Sequence, residues 1–99
     1  MTLGEKQRKF TRMVADLIIF AYEQGYELSF GDAWATTGHM KNSLHYSRLA
    51  IDLNLFKDGI FLVDGAAHTP LHDYWDTLGG SPRILKDMNH YSIEHEGRK

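Results

Sequence analysis

Two side chains that can bind a metal ion lie seven residues apart around a predicted strand. These are His45 and Asp52, within the stretch 43–56, SLHYSRLAIDLNLF. Its second half alternates with the two-residue period of a strand, placing Ile51, Leu53 and Leu55 on one face and Ala50, Asp52, Asn54 and Phe56 on the other. A carboxylate among apolar neighbours needs a partner, because burying an unpaired charge costs several kcal/mol. We therefore interpret His45 and Asp52 as two ligands of a metal site.

The C-terminal stretch 81–99 supplies a third ligand and a base. His90 lies on one face of a predicted strand over 90–95, and Asp87 precedes it by three residues, close enough for a turn to bring both to one site. Two imidazoles and one carboxylate, with a fourth position left for water, form a catalytic zinc arrangement. Hydrolysis would also require a general base beside that water, the role we assign to Asp87. Spacing alone leaves open an alternative, in which these are hydrogen-bonded structural histidines and surface carboxylates.

Composition limits the class of protein. The 99 residues are 42% hydrophobic and 12% aromatic, which predicts one folded domain over 1–99. A net charge of −2 disfavours nonspecific nucleic-acid binding, and without cysteine any metal must be held by His, Asp or Glu. No apolar run reaches the roughly 18 residues of a membrane span, and we expect no signal peptide.

The elements that would position these residues predict an α+β fold. Residues 3–24 form an amphipathic helix, with Thr2 and Glu5 as a capping box and Gly25 closing it. Strands are predicted over 26–30, 50–56, 60–63 and 90–95, with loops at 31–42 and 64–69 and an Asp58-Gly59 hairpin turn. A short second helix is predicted over 70–78, capped by Thr69. The expected domain is an antiparallel sheet with the N-terminal helix packed on it.

Two motifs resemble those of a known enzyme family. Ser43, His45, Ala50 and Asp52 are similar to the S-x-H-x-x-G-x-A-x-D signature of the zinc D-alanyl-D-alanine peptidases. The run 87–91, DMNHY, resembles that family's second motif, an acidic residue followed after two positions by His and an aromatic residue. The family includes D,D-carboxypeptidases, D-Ala-D-Ala dipeptidases and phage L-alanyl-D-glutamate endolysins, and the likeness is greatest to its compact phage and prophage members. It covers essentially the whole chain.

The resemblance implies a specific activity and site. His45, Asp52 and His90 would bind Zn²⁺, and Asp87 would be the catalytic acid/base. The reaction would hydrolyse an amide bond in a peptidoglycan stem peptide, in the D-Ala-D-Ala metallopeptidase (Hedgehog-like) fold. Candidate substrate-binding residues are Ser43, Arg48, Trp34 and Tyr91. A monomeric cell-wall lysin would be made in the host cytoplasm and act after release, or be carried on a phage particle.

The chain departs from the family pattern at two positions. Arg48 replaces the glycine of the first motif, and Ala35 stands where relatives carry an arginine that holds the substrate's carboxylate. Arg48, Arg83 or Lys86 are the candidates to replace that charge. The second departure keeps open the alternative of a catalytically impaired metal-binding module that recognises peptidoglycan or a phage structural partner. A separate alternative is a small structural protein without a metal, whose His and Asp residues are surface or hydrogen-bonded groups.

Overall fold

The fold is α+β, as predicted, and a computed structural model describes residues 1–34 and 44–97. The helices and strands are α1 (Leu3–Glu23), β1 (Glu27–Phe30), β2 (Ala50–Lys57), β3 (Ile60–Phe61), α2 (Thr69–Thr77) and β4 (His90–Ser92). Short 3-10 helices cover Leu44–Ser47 and Gly65–His68. The part of the predicted loop 31–42 that follows Trp34 lies outside the described residues.

Helix α1 begins and ends where its sequence predicts. The Thr2 hydroxyl accepts a hydrogen bond from the Glu5 amide, and the Glu5 carboxylate accepts one from the Thr2 amide. This capping box satisfies amides that have no partner within the helix. At the other end Gly25 has φ +87°, the left-handed conformation that glycine adopts without strain. The apolar stripe of the helix is buried against the sheet and α2: Phe10, Met13, Val14, Leu17 and Ala21.

The sheet is built around β2, which pairs antiparallel with the other three strands. The β2–β3 connection is the predicted hairpin, with positive φ at both Asp58 (53°) and Gly59 (76°). Strand β3 ends at Phe61 and β4 at Ser92, so both are shorter than predicted. Since β3 and β4 pair with different parts of β2, at 56–57 and 50–52, a gap is left between them beside Leu53 and Asn54.

Helix α2 completes the core from the side of α1. It begins at Thr69, with His68 at the cap position and no side-chain cap, so the prediction of Thr69 as the cap is wrong by one residue. Leu71 and Trp75 are fully buried, as its spacing predicts. The indole N–H of Trp75 donates to the Ser92 carbonyl at 2.9 Å, which fastens α2 to the end of β4.

A polar cluster is buried beneath β4. The hydroxyl of Tyr91 lies 2.7 Å from Nδ1 of His68, and the ring of His72 stacks on that of Tyr91 with centroids 4.2 Å apart. Nε2 of His72 lies 2.7 Å from the carbonyl oxygen of Met88. Burial, reinforced by the charge of His72, lowers the pKa of His68 to about 4, and it also raises the pKa of Tyr91. At neutral pH both groups are therefore uncharged.

No helix in the described parts of the chain has both the length and the apolar character needed to cross a membrane.

Replacing Gly80 with alanine is expected to destabilise the fold by about 3 kcal/mol or more, because an added Cβ would overlap the indole ring of buried Trp75. Gly79→Ala is the matched control. Gly79 has φ +89° with nothing within 4 Å of the added carbon, so only backbone strain of about 1–2 kcal/mol applies. Urea unfolding measures both variants, and equal destabilisation would contradict the packing argument.

The buried histidine predicts a loss of stability in weak acid. As the pH falls from 6.5 toward 4, His68 binds a proton in the unfolded chain but stays neutral in the folded chain. The free energy of unfolding therefore decreases as the pH is lowered over this window. The loss attributable to His68 reaches about 3 kcal/mol. His68→Asn cannot titrate but can still accept a hydrogen bond from Tyr91. Unfolding curves at pH 7 and pH 4.5 should show a smaller difference for this variant than for the wild type, and equal differences would contradict the assignment.

Candidate metal centre

Three side chains distant in sequence converge on one point. Nε2 of His45 lies 3.1 Å from Oδ1 of Asp52 and 3.2 Å from Nδ1 of His90, and the remaining distance, Nδ1 of His90 to Oδ1 of Asp52, is 3.6 Å. Both imidazoles are buried and the Asp52 side chain is 18% exposed. Since two ring nitrogens and one carboxylate oxygen lie within 4.8 Å of one another, the group could hold a metal ion.

His45 is positioned by the turn that leads into β2. The 3-10 helix Leu44–Ser47 is followed by Arg48, whose φ of +57° is left-handed and redirects the chain into the strand. The Leu49 amide then donates to the Leu44 carbonyl at 2.9 Å, which closes the turn. The side-chain amide of Gln7 donates to the Ser47 carbonyl at 2.9 Å, which fastens the turn to α1. The turn thus directs His45 back over the face of β2 that carries Asp52.

Asp52 and His90 are brought together by the register of β2 and β4. They lie directly opposite each other, and the amide of Leu53 donates to the carbonyl of Asn89 across the pair. This makes them a non-hydrogen-bonded antiparallel pair, the kind in which facing side chains lie closest. The backbone of Asp52 bonds instead to the opposite neighbour, donating to Asp32 and accepting from Gly31, both at 2.8 Å. A Cβ on Gly31 would lie 3.0 Å from that of Asp52, so glycine leaves space for the carboxylate.

The electrostatics of the site favour an ionised Asp52. Burial is the largest influence and by itself raises the pKa of this carboxyl, but hydrogen bonds and charge interactions with His45 and His90 together lower it well below 3.8. The contact of 3.2 Å between two imidazole nitrogens needs a proton on one of them, whereas a cation at the centre would use the lone pairs of both. The donor set is therefore suited to a positively charged ion.

Asp87 lies beside the three converging atoms but outside the group. A turn in which the amide of Asp87 donates to Ile84 and that of His90 donates to Asp87 places its carboxylate Oδ2 3.9 Å from Nδ1 of His90. The side chain is 52% exposed. It is thus accessible to solvent and close to a proposed ligand atom, as a base acting on a nearby water would have to be.

The residues predicted to contact substrate are separated by the structure. Trp34 is half exposed, and the guanidinium of Arg48 lies 4.7 Å from the centre of its ring, so these two form one surface near the site. Tyr91 is fully buried with its hydroxyl on His68, and its assignment to the substrate surface is wrong. The sequence places it beside His90, but adjacent strand residues face opposite sides of a sheet. Ser43 lies outside the described residues, as does Ala35.

The three candidates to replace a carboxylate-binding arginine are also in different environments. Arg83 donates to Asp73 at 2.7 Å and Asp76 at 3.0 Å, so two carboxylates already compete for it. Arg48 lies over Trp34. Lys86 lines a cavity together with Asp87. Lys86 is therefore the candidate nearest to the predicted base.

Sequence reasoning missed the two histidines of the buried cluster. His68 lies in the predicted loop 64–69 and His72 in the predicted helix 70–78, and neither residue is predicted to have a function. A signal was present, since positions 68, 71, 72 and 75 continue the three-and-four spacing of the buried edge of α2, and all four side chains are buried.

No protein-family model, curated protein or solved structure matches this chain.

Replacing Asp52 with asparagine should weaken metal binding by a large factor, because the only carboxylate of the converging group is lost while its volume is kept. Asp16→Asn, at a half-buried position of α1 where the carboxylate pairs with Arg12, is the matched control. The measurement is zinc content after dialysis and the rise in melting temperature on adding zinc. We expect about one ion per chain and a clear rise for the wild type and the control only. A rise of equal size in Asp52→Asn would show that the ion is held elsewhere.

Proposed function

We propose that this protein is a zinc-dependent peptidase that hydrolyses an amide bond in bacterial peptidoglycan stem peptides. The observation that carries the proposal is the convergence of His45, Asp52 and His90, with Asp87 held next to it. Two imidazoles and one carboxylate are the ligand set of several hydrolytic zinc enzymes, which keep a fourth position for water or substrate.

The spacing of the three atoms suits zinc. At a metal–ligand distance of about 2.0–2.1 Å, two ligands of a regular tetrahedron lie about 3.3–3.4 Å apart. The three measured distances, 3.1, 3.2 and 3.6 Å, bracket that value. The three distances are therefore compatible with zinc.

The residues of the chain have distinct roles in this mechanism. A zinc ion bound to them would lower the pKa of a coordinated water to about 7 and polarise the substrate carbonyl. Asp87 would accept the proton of the attacking water and deliver it to the leaving amine. Its half-exposed position leaves it free to move a proton, whereas Asp52, paired with two imidazoles, would stay ionised and bound. The two carboxylates thus have separate tasks because their surroundings differ.

The substrate class rests on the resemblance of two motifs to the zinc D-alanyl-D-alanine peptidases. The geometry supports that resemblance at four motif residues: the first motif's His45 and Asp52 meet the second motif's His90, with Asp87 alongside. A phage or prophage cell-wall lysin is the corresponding biological role.

A second candidate is a metal-holding module that binds peptidoglycan without cutting it. The observation that favours it is Ala35 in place of the carboxylate-binding arginine, together with the engagement of Arg83 by two aspartates. Zinc-loaded protein that binds purified cell walls but releases no amino groups would support this candidate.

Asp87→Asn should reduce hydrolysis about 10²–10⁴-fold while leaving the zinc content unchanged, because it removes a proton acceptor that is not a metal ligand. Purified peptidoglycan is digested with and without a chelator, and the fragments are identified by mass spectrometry. Asp16→Asn again serves as the control and should cut at the wild-type rate. Undiminished hydrolysis by Asp87→Asn would refute the role given to Asp87.

A further inference from the structure

A cavity of about 300 Å³ opens beside Asp87, in the gap between β3 and β4. Its apolar walls come from Phe61, Val63 and Leu85, which are 50%, 82% and 81% exposed. Lys86 and Asp87 line it as well, whereas His45, Asp52 and His90 do not, so the cavity borders the predicted base and not the three converging ligands. The volume lies at the lower end of the range for ligand sites, about 300–1,000 Å³, and suits one residue of a peptide.

The cavity also contains a nearly buried polar group, His68, which is 4% exposed. Its Nδ1 is turned inward to the hydroxyl of Tyr91, 2.7 Å away. The two ring nitrogens of an imidazole point in largely opposite directions. Nε2 is therefore the nitrogen left for the cavity, and among residues 1–34 and 44–97 no hydrogen-bond partner is found for it.

Tyr91 determines which nitrogen of His68 carries the proton. Its hydroxyl is fully buried, and within the described chain His68 is its one hydrogen-bond partner. If Nδ1 carried the proton, the tyrosine O–H would be left without an acceptor, at a cost of about 1–3 kcal/mol. The favoured arrangement has Tyr91 donating to Nδ1 and the proton of His68 on Nε2, so that an N–H donor faces the cavity.

We propose that this cavity is a substrate subsite, in which the Nε2–H of His68 donates a hydrogen bond to a carbonyl or carboxylate oxygen of the bound peptide. The neutral state of His68 supports this role, since a neutral ring can present a donor without a buried charge. Lys86 supplies a cation that can pair with a carboxylate, alongside the negatively charged Asp87 in the same lining. The subsite deepens the proposed peptidase function and rests on it for the class of ligand.

The first test needs no ligand. In histidine-labelled wild-type protein at pH 7, long-range proton–nitrogen correlation spectra should show His68 protonated at Nε2 and unprotonated at Nδ1. Tyr91→Phe removes the donor to Nδ1 and should shift the His68 nitrogen signals toward a mixture of the two tautomers. A wild-type His68 that carries its proton on Nδ1 would overturn the proposal.

The second test uses N-acetyl-D-alanyl-D-alanine and its C-terminal amide as probes, titrated into zinc-loaded Asp87→Asn protein so that hydrolysis does not consume them. The His68 ring signals should shift on saturation. In the Asp87→Asn background, His68→Leu removes the Nε2–H donor, and a simultaneous Tyr91→Phe avoids leaving a buried hydroxyl unpaired. This combination should weaken probe binding about three- to tenfold. Adding His68→Gln instead retains an N–H donor and should weaken binding less. Zinc content should be equal in all variants.

The two probes distinguish the acceptors. Tighter binding of the acid than of the amide assigns a carboxylate, and equal binding assigns a carbonyl oxygen. Unmoved His68 signals, equal affinity in the His68→Leu/Tyr91→Phe protein, or no binding of either probe would overturn the subsite. Hydrolysis of peptidoglycan by the wild type is scored separately, so a failed peptidase assignment and a failed subsite give different results.

Discussion

The position of one carboxylate, Asp52, constrains the rest of the site. It lies on the central strand with only 18% of its side chain exposed, and a charge placed there must be compensated. Two imidazoles, one from the turn before β2 and one from the strand opposite, supply that compensation at 3.1 and 3.6 Å. The same convergence of side chains that compensates the charge of Asp52 also brings the three potential ligand atoms together. The arrangement that compensates the buried charge of Asp52 is therefore also the one that could hold a metal ion.

The turn before β2 shows how backbone conformation serves this arrangement. Arg48 adopts φ +57° at the position that is glycine in the S-x-H-x-x-G-x-A-x-D motif that this stretch resembles. For an L-residue with a Cβ, that conformation is destabilising by about 1–2 kcal/mol. The conformation is needed because a 3-10 helix must reverse into a strand within two residues. The stacking of Arg48 on Trp34 offsets part of the strain, since such contacts contribute about 0.5–1 kcal/mol at exposed sites. Glycine is thus favoured there by backbone geometry, and the arginine side chain need not have a role in the chemistry.

Much of the fold follows from local patterns in the sequence. The apolar stripe and capping box define α1, and the Asp58-Gly59 pair defines the hairpin, because these signals depend on residues only a few positions apart. The alternation in 50–56 and in the C-terminal stretch also predicts that Asp52 and His90 lie on strands. It does not predict the register of β2 and β4, which places these two residues opposite each other. Tyr91 shows the limit. Alternation puts it on the face opposite His90, but only the packing of α2 reveals that this face is core. His68 needed the same tertiary information, since its partner is 23 residues away.

The hydrogen bond from Gln7 to the carbonyl of Ser47 joins α1 to the turn that carries His45. Any free energy released when an ion binds His45 is therefore shared with a helix that has no ligand of its own, since occupancy and folding are reciprocally linked. Slower amide hydrogen exchange near Gln7 would accompany a filled site, and fraying of the first turns of α1 would weaken the ion's hold. If an ion binds this site, the N-terminal segment would contribute to its affinity from a distance, and the side-chain amide of Gln7 is one of the contacts that connect the two.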